Sequence, residues 1–219
     1  EQEARHAIKV LRKQAGDGLF VVDGKGNWFR TVIRQAGGKH CVLEGLEQQK
    51  GWHGHPYHLH IAVAPTKNTD RFEWFVEKAT EIGVDEITPI LTFHTERKRL
   101  RTDRLERLLA AAMKQSQKAR LPRLHPLTPW AGFIAQPHTG PCYIAHCREG
   151  EKENLFDALR PANPTTLLIG PEGDFSAEEV AAAKAKGFSS VSLGNSVLRT
   201  ETAAVAACHT VYLKRGRKE

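Results

Sequence analysis

The chain has 219 residues, 40% apolar and 26% charged, which excludes wholesale disorder and leaves room for one large domain or two modest ones. Its formal charge of +7 leans toward a polyanionic partner, nucleic acid first. No apolar run approaches the ~20 residues of a membrane span, and Cys41, Cys142, Cys147 and Cys208 form neither a CxxC pair nor a regular framework, which predicts reduced thiols in a cytoplasmic protein.

Residues 1–57 read as mostly β. The run "GLFVVDGKGNWFRTVI" (Gly18–Ile33) is two apolar segments around an Asp- and Gly-rich turn, a hairpin pattern. "HCVLEGLEQQ" supplies another strand and "KGWHGHPY" (Lys50–Tyr57) a linker. So small a unit makes a marginal core alone, so it should lean on the remainder or lack a strand. From His58 onward, strands alternate with helices. Leu59, Ile61 and Val63 alternate; Asp70 with Glu73 signals a helix start, and the stripe Phe72, Phe75, Val76, Ala79, Ile82 stops at Gly83. "DEITPIL" is a strand, and Asp103 with Glu106 opens a second helix carrying Leu105, Leu108, Leu109 and Ala112. "PCYIAH", "TTLLIG" and "SSVSLG" are further strands. Ser176 with Glu179 makes a capping box for a helix ending near Gly187, and the last helix covers about Glu201–Leu213. This alternation predicts a mainly parallel α/β sheet.

Two strand–glycine–helix junctions carry the chemistry: "TLLIGPEGDFSAEE" (Thr166–Glu179) and "LGNSVLRTETAAVAA" (Leu193–Ala207). Ligands of open α/β sheets sit beyond the carboxyl ends of strands. Gly170, Gly173 and Gly194 let backbone approach a flat heterocycle there, with Glu172, Arg199 and Glu201 set among them. Neither GxGxxG nor GxxxxGK[ST] is present, so no dinucleotide or P-loop site is supported. Between Arg97 and Arg123, ten cations are interrupted only by Asp103 and Glu106. A charge run is usually a solvated face, but the loop half, Arg97–Arg101, is nearly all cation and favours phosphate contacts. The tail "LKRGRKE" extends this charge or is a solubilising end. His53, His55, His58 and His60 read as polar linker and outer-face residues, with no familiar ligand spacing for a metal.

"LLIGPEGDFSAEE" and "VSLGNSVLRTETAAVAA", with "EKATEIGVDEITPI" and "MKQSQKARLP" upstream, resemble RsmE-type methyltransferases of the SPOUT superfamily. The likeness runs nearly the whole length, "RHAIKVLRKQAGDGLFVVDGKG" being similar to that family's PUA-like barrel. It implies an α/β fold: a trefoil-knotted SPOUT domain over residues 58–219, preceded by a PUA-like RNA-binding β domain over 1–57 whose first strand precedes Glu1. It further implies a homodimer that methylates N3 of one uridine in 16S ribosomal RNA, or in the small subunit, with S-adenosyl-L-methionine. Carried over by motif, the cofactor residues are Gly170, Gly173, Leu193, Gly194, Val197, Leu198 and Thr202. Arg97, Lys98, Arg99, Arg101, Lys118 and Arg120 fall on the RNA side. The family commonly has Gly where Asp174 stands, glutamate at Ala111 and arginine at Lys118.

Methyl transfer from a sulfonium is a direct displacement needing no metal, only alignment of donor and nucleophile and handling of the N3 proton. Arg199 would hold phosphate or the developing uracil anion, and Glu172 or Glu201 would be the nearest general base. Glu201 has a second reading, as partner of Arg199 or cap of the last helix. Two other functions stay open: a non-catalytic RNA binder of the same fold, and a tRNA methyltransferase.

Overall fold

The computed structural model describes residues 2–37, 40–161 and 164–216; Glu1 and the charged end Arg217–Glu219 lie outside them. The chain divides into two compact units, one of Glu1–Gly54 with Gln117–Leu121 and one of His55–Ser116 with Pro122–Glu219.

The first unit opens with α1 (Gln2–Arg5) and a π-helical turn (His6–Val10), helical structure that the apolar pattern did not announce. Its sheet is β1 (Gly18–Val22), β2 (Asn27–Gly37) and β3 (His40–Lys50), antiparallel in that order. The Asp23 carboxylate fixes the hairpin turn by accepting from the amides of Lys25 and Asn27 and from the Asn27 side chain, the local bonding that suits Asp to turns. Help for this small sheet comes from far along the chain. The Gly26 amide donates to the carbonyl of Ala119 and the Leu121 amide to that of Gly24.

The second unit is a three-layer α/β domain. In chain order it comprises β4 (Leu59–Val63), α2 (Thr69–Ile82), β5 (Glu86–Leu91), α3 (Thr102–Gln115), β6 (Arg123–Leu124), β7 (Thr128–Pro129) and α4 (Trp130–Ala135). Then follow β8 (Cys142–Ala145), β9 (Glu153–Asn154), α5 (Leu155–Ala158), β10 (Thr165–Ile169), α6 (Ala177–Ala185), β11 (Phe188–Ser192) and α7 (Thr200–Arg215). The strands lie in the order β6-β5-β4-β10-β8-β11-β9, with β7 also on β5, and all pairings are parallel. Every residue of β10 is buried, as a parallel strand covered on both faces requires.

Two apolar cores flank the sheet. On one face Phe72, Phe75, Leu105, Leu109, Leu155, Ala204, Ala207 and Val211 bring α2, α3, α5 and α7 against Leu59, Ile61 and Leu167. On the other, Phe133, Ile134, Val180 and Ala183 set α4 and α6 over Ala62, Ile144 and Leu168. The capping box at α6 forms as expected, Ser176 accepting from the Glu179 amide and Glu179 from that of Ser176. Glu179 also accepts from the Phe93 amide at 2.8 Å, so this buried carboxylate ties the segment after β5 to α6. At α2 the cap is Asn68, earlier than the Asp70–Glu73 signal, because its side chain reaches the Asp70 amide.

The histidine-rich segment corrects the sequence expectation. His55 stacks on Tyr57 at 3.9 Å, and the His58 ring bonds Glu86 Oε1 at 2.8 Å. His60 turns inward, its Nε2 on Thr88 Oγ1 at 2.7 Å and its ring near His125 and Phe133. Glu86 also receives His125 Nε2 at 2.5 Å. The reading of the four histidines as polar linker and outer-face residues suits exposed His53 but not His60, because this sheet is covered on both sides. Burial lowers the His60 imidazole to about 4, the pull of Glu86 only partly opposing it. At Glu86 burial raises the carboxyl pKa, and the bonds from His125 and His58 outweigh that and hold it below its usual value.

Both shifts act in one direction. The unfolded chain takes a proton at this histidine near pH ~6.5, while folded His60 takes one only near pH 4, so stability falls as pH drops through that window. The Glu86 contribution, present above the usual carboxylate range, is lost at still lower pH. A His60→Gln variant is expected to flatten the dependence of the thermal midpoint between about pH 6.5 and 4; an unchanged slope would contradict this assignment.

Candidate active site

Parallel pairing carries three loops to one edge. Ile169 at the end of β10 and Val191 in β11 both register on Ala145 of β8, so the segments Gly170–Ser176, Leu193–Arg199 and His146–Lys152 leave the sheet side by side. They enclose a cavity of about 430 Å³, at the carboxyl edge where such sheets bind ligands.

The wall from β11 to α7 is unusual in its backbone. Among the described residues, Gly194–Leu198 make no hydrogen bond to another backbone group, so these amides and carbonyls are left for water or a ligand. Gly194 sits at φ +122°, and a Cβ there would meet nothing within 4 Å. The position is thus open toward the hollow, in a conformation that L side chains rarely adopt. Leu193 and Leu198 are half-buried and flank this stretch, and Val197 is 84% exposed.

The structure distributes the candidate residues as follows. Gly170, Leu193, Gly194, Val197, Leu198, Glu172 and Arg199 all line the cavity. Gly173 and Thr202 are not on its wall. A Cβ on Gly173 would stand 2.9 Å from that of His94, so a side chain here would collide with that neighbour. Thr202 is exposed in the first turn of α7. Glu201 is also off the wall. It is buried, with Oε1 3.8 Å from Arg71 Nε and Oε2 without a partner, so the expected pairing with Arg199 is replaced by Arg71. The Glu172 carboxylate accepts from the Lys67 amide at 3.0 Å, which links the loop after β4 to the one after β10.

Sequence reasoning missed the third wall. Ala145, His146, Cys147 and Lys152 line the cavity, but the loop glycine, Gly150, lies well past the strand and gave no junction pattern. His146 Nε2 meets Ser190 Oγ at 2.9 Å while its Nδ1 is buried and unpartnered. Burial and then the charge of Lys152 lower its pKa, which favours the neutral ring. Lys152 donates to the carbonyls of His146 and Arg148 at 3.1 and 2.6 Å, holding the loop in shape.

Asp174 joins two walls. Its Oδ2 accepts from the Cys147 amide at 2.9 Å and its Oδ1 from the Phe175 amide at 2.8 Å. Its φ of 60° accounts for the glycine usual here, and aspartate is among the side chains that tolerate this conformation.

The cationic stretch does not act as one unit. Arg97 donates to the carbonyls of Thr66 and Lys67 and braces the loop after β4. Lys98 and Arg99 are exposed, and Arg101 lies 3.8 Å from Asp103. Lys118 and Arg120 belong to the other compact unit.

Comparison with known proteins fits this geometry. Residues 53–212 match the family described as RNA methyltransferase domain, and residues 1–44 match the RNA methyltransferase PUA domain. The chain belongs to this RNA methyltransferase family. It is 33% identical over 208 residues to ribosomal RNA small subunit methyltransferase E of Synechocystis, covering 91% of this chain and 67% of that one. The protein of the same name from Rickettsia conorii is 28% identical, with 95% and 86% covered. Among solved structures, a probable rRNA-methyltransferase from Porphyromonas gingivalis superposes with TM-score 0.92 at 41% identity, over 98% of this chain and 91% of that one. A putative Legionella pneumophila methyltransferase, solved with its cofactor SAM, gives TM-score 0.84 at 26% identity, over 97% and 89%. The expected fold class, a SPOUT-type α/β methyltransferase domain preceded by a PUA-like domain, is the fold of this chain.

Removing the clamp between walls is testable. Asp174→Ala leaves the Cys147 and Phe175 amides without their acceptor and is expected to cost about 1–3 kcal/mol in urea denaturation. Stability equal to wild type would show that the clamp carries no load.

Proposed function

We propose that the chain transfers the methyl group of S-adenosyl-L-methionine to N3 of one uridine in the 16S ribosomal RNA of the small subunit. The carrying observation is the stretch Gly194–Leu198 along the cavity, which among the described residues makes no backbone–backbone hydrogen bond, in a chain of the RNA methyltransferase family. The residues fit the cofactor. Backbone amides and carbonyls suit the edge of adenine, Leu193 and Leu198 supply apolar contact, and the open side of Gly194 lets a ring approach. When bound, S-adenosyl-L-methionine supplies an electrophilic methyl group on a sulfonium.

The chain's own task is alignment and charge. Arg199 precedes α7 on the cavity wall and is exposed, so its guanidinium can hold a substrate phosphate or the anion that develops on uracil as N3 loses its proton. Glu172, exposed on the same wall, is the nearer candidate for general base. Glu201 is buried beside Arg71, which supports its reading as an anchor at the helix end over that of a general base. Residues 1–57 would grip RNA and residues 58–219 would perform transfer. Lys98, Arg99, Arg101, Lys118 and Arg120 would contact phosphates, contributing backbone affinity more than base choice. The working unit would be a homodimer. Phe93, 78% exposed, and Val197 on the cavity wall offer apolar surface for a second copy. Among the described residues no helix is long and apolar enough to cross a membrane; action on ribosomes would place the enzyme in the cytoplasm.

Labelled S-adenosyl-L-methionine offered with unmodified small subunits and, separately, with bulk tRNA tests the reading. Label is expected in 16S RNA. Label in tRNA alone would reassign the substrate, and absence of calorimetric cofactor binding would leave only an RNA binder. Arg199→Ala is expected to lower kcat by about 10²–10³-fold and Glu172→Gln by about 10²-fold or more. Near-wild-type rates would remove either residue from the chemistry.

A further inference from the structure

The β unit carries a row of aromatic rings that its own core does not use. Phe20 of β1 pairs in register with Arg30, two residues from Trp28 on β2, so Phe20 and Trp28 are diagonal neighbours on one face of the hairpin. Their rings stack with centroids 5.0 Å apart and planes 25° from parallel. Trp52, just beyond β3, continues the row at 4.8 Å and 17° from Trp28, and His53 follows at 4.7 Å. One end is open, for Phe20 is 64% exposed. At the other end His53 is exposed and sits at φ 48°, a left-handed conformation in which histidine is among the more common non-glycine residues.

The row is held firmly. The Trp52 amide donates to the carbonyl of Gly26 at 3.2 Å, and the Asp23 carboxylate locks the hairpin turn from which Trp28 departs. Charge identifies the occupant. Around this turn the acids are already engaged, Asp23 by the turn itself and Glu47 by Arg30 at 3.2 Å. Cations remain beside the row. Lys25 lies in the turn, and the Arg120 guanidinium comes within 3.5 Å of where a Gly26 Cβ would stand.

We propose that the Phe20–Trp28–Trp52–His53 row is a stacking platform for unpaired bases of an RNA strand, with Arg120 and Lys25 contacting the phosphates. A base laid on the open face of Phe20 extends a preformed stack, and its backbone then runs beside a cationic turn. Single strands are recognised in this way, by aromatic stacking combined with a positively charged track, and largely without regard to sequence. A regular duplex hides its base faces and cannot use the row. The inference rests on the RNA-methyltransferase reading and deepens it by naming the kind of RNA segment that the β unit takes.

The test uses the full-length chain and two RNA probes, a short single-stranded oligouridine and a blunt duplex of equal length. Quenching of the fluorescence of Trp28 and Trp52 is expected with oligouridine and not with duplex. Phe20→Ala is expected to weaken oligouridine binding about tenfold, Phe20→Tyr to restore it, and Arg120→Ala to weaken it and reduce its salt dependence. Calorimetric binding of S-adenosyl-L-methionine by the same variants checks that the second unit is intact, so a failure of the platform is separable from a failure of the enzymatic reading. Unchanged oligouridine affinity in Phe20→Ala would overturn the proposal. So would sedimentation showing that Phe20→Ala converts a dimer to monomer at constant RNA affinity, because the row would then be covered by a second copy.

Discussion

A parallel sheet leaves the carboxyl ends of its strands at one edge, and there this chain leaves a stretch of backbone open to water or a ligand. Between β11 and α7, Gly194–Leu198 run along a hollow of about 430 Å³ without a backbone partner among the described residues. Backbone polar groups seek partners, so a stretch of this kind is sustained by water or by a ligand that matches it. The remainder of the domain places that stretch. β10, β8 and β11 set three loops side by side, α7 anchors the far end through buried Ala204, Ala207 and Val211, and Gly194 leaves the near end open.

Carboxylates on and beside the walls tie the loops together. Asp174 bonds the loop after β8, Glu172 the loop after β4, and Glu179 the segment after β5. Each is a carboxylate accepting backbone amides, a charge-assisted bond of the stronger kind. Asp174 and Glu179 therefore brace the loops, and Glu172 ties a neighbouring loop while its carboxylate stays on the cavity wall. Glu201, which the sequence offers both as a general base and as a partner or cap at the last helix, lies buried against Arg71.

Much of this was legible in the sequence because the signals were local. The hairpin turn, the Ser176–Glu179 capping box and the stripes of α2 and α3 depend on neighbours within a turn or two of chain. The two glycine junctions were legible as loops, and their motifs carried the family. What was not legible depends on tertiary placement. The inward turn of His60 follows from cover on both faces of β4, which alternation cannot report. The third wall, His146–Lys152, is set beside the others by the register of β8, not by any pattern in its residues. The closeness of His94 to Gly173 has no trace in the local sequence, and the Lys118–Arg120 segment joins the β unit although its sequence neighbours belong to the α/β domain.

The account stands on the backbone from Gly194 to Leu198 being a receptor for a methyl-donating nucleoside. Amide hydrogen exchange on the full-length chain, with and without saturating S-adenosyl-L-methionine, reads those groups directly. The account predicts strong slowing at the Gly194–Leu198 amides, with little change at β1–β3. Exchange in that segment unaltered by the cofactor would contradict it.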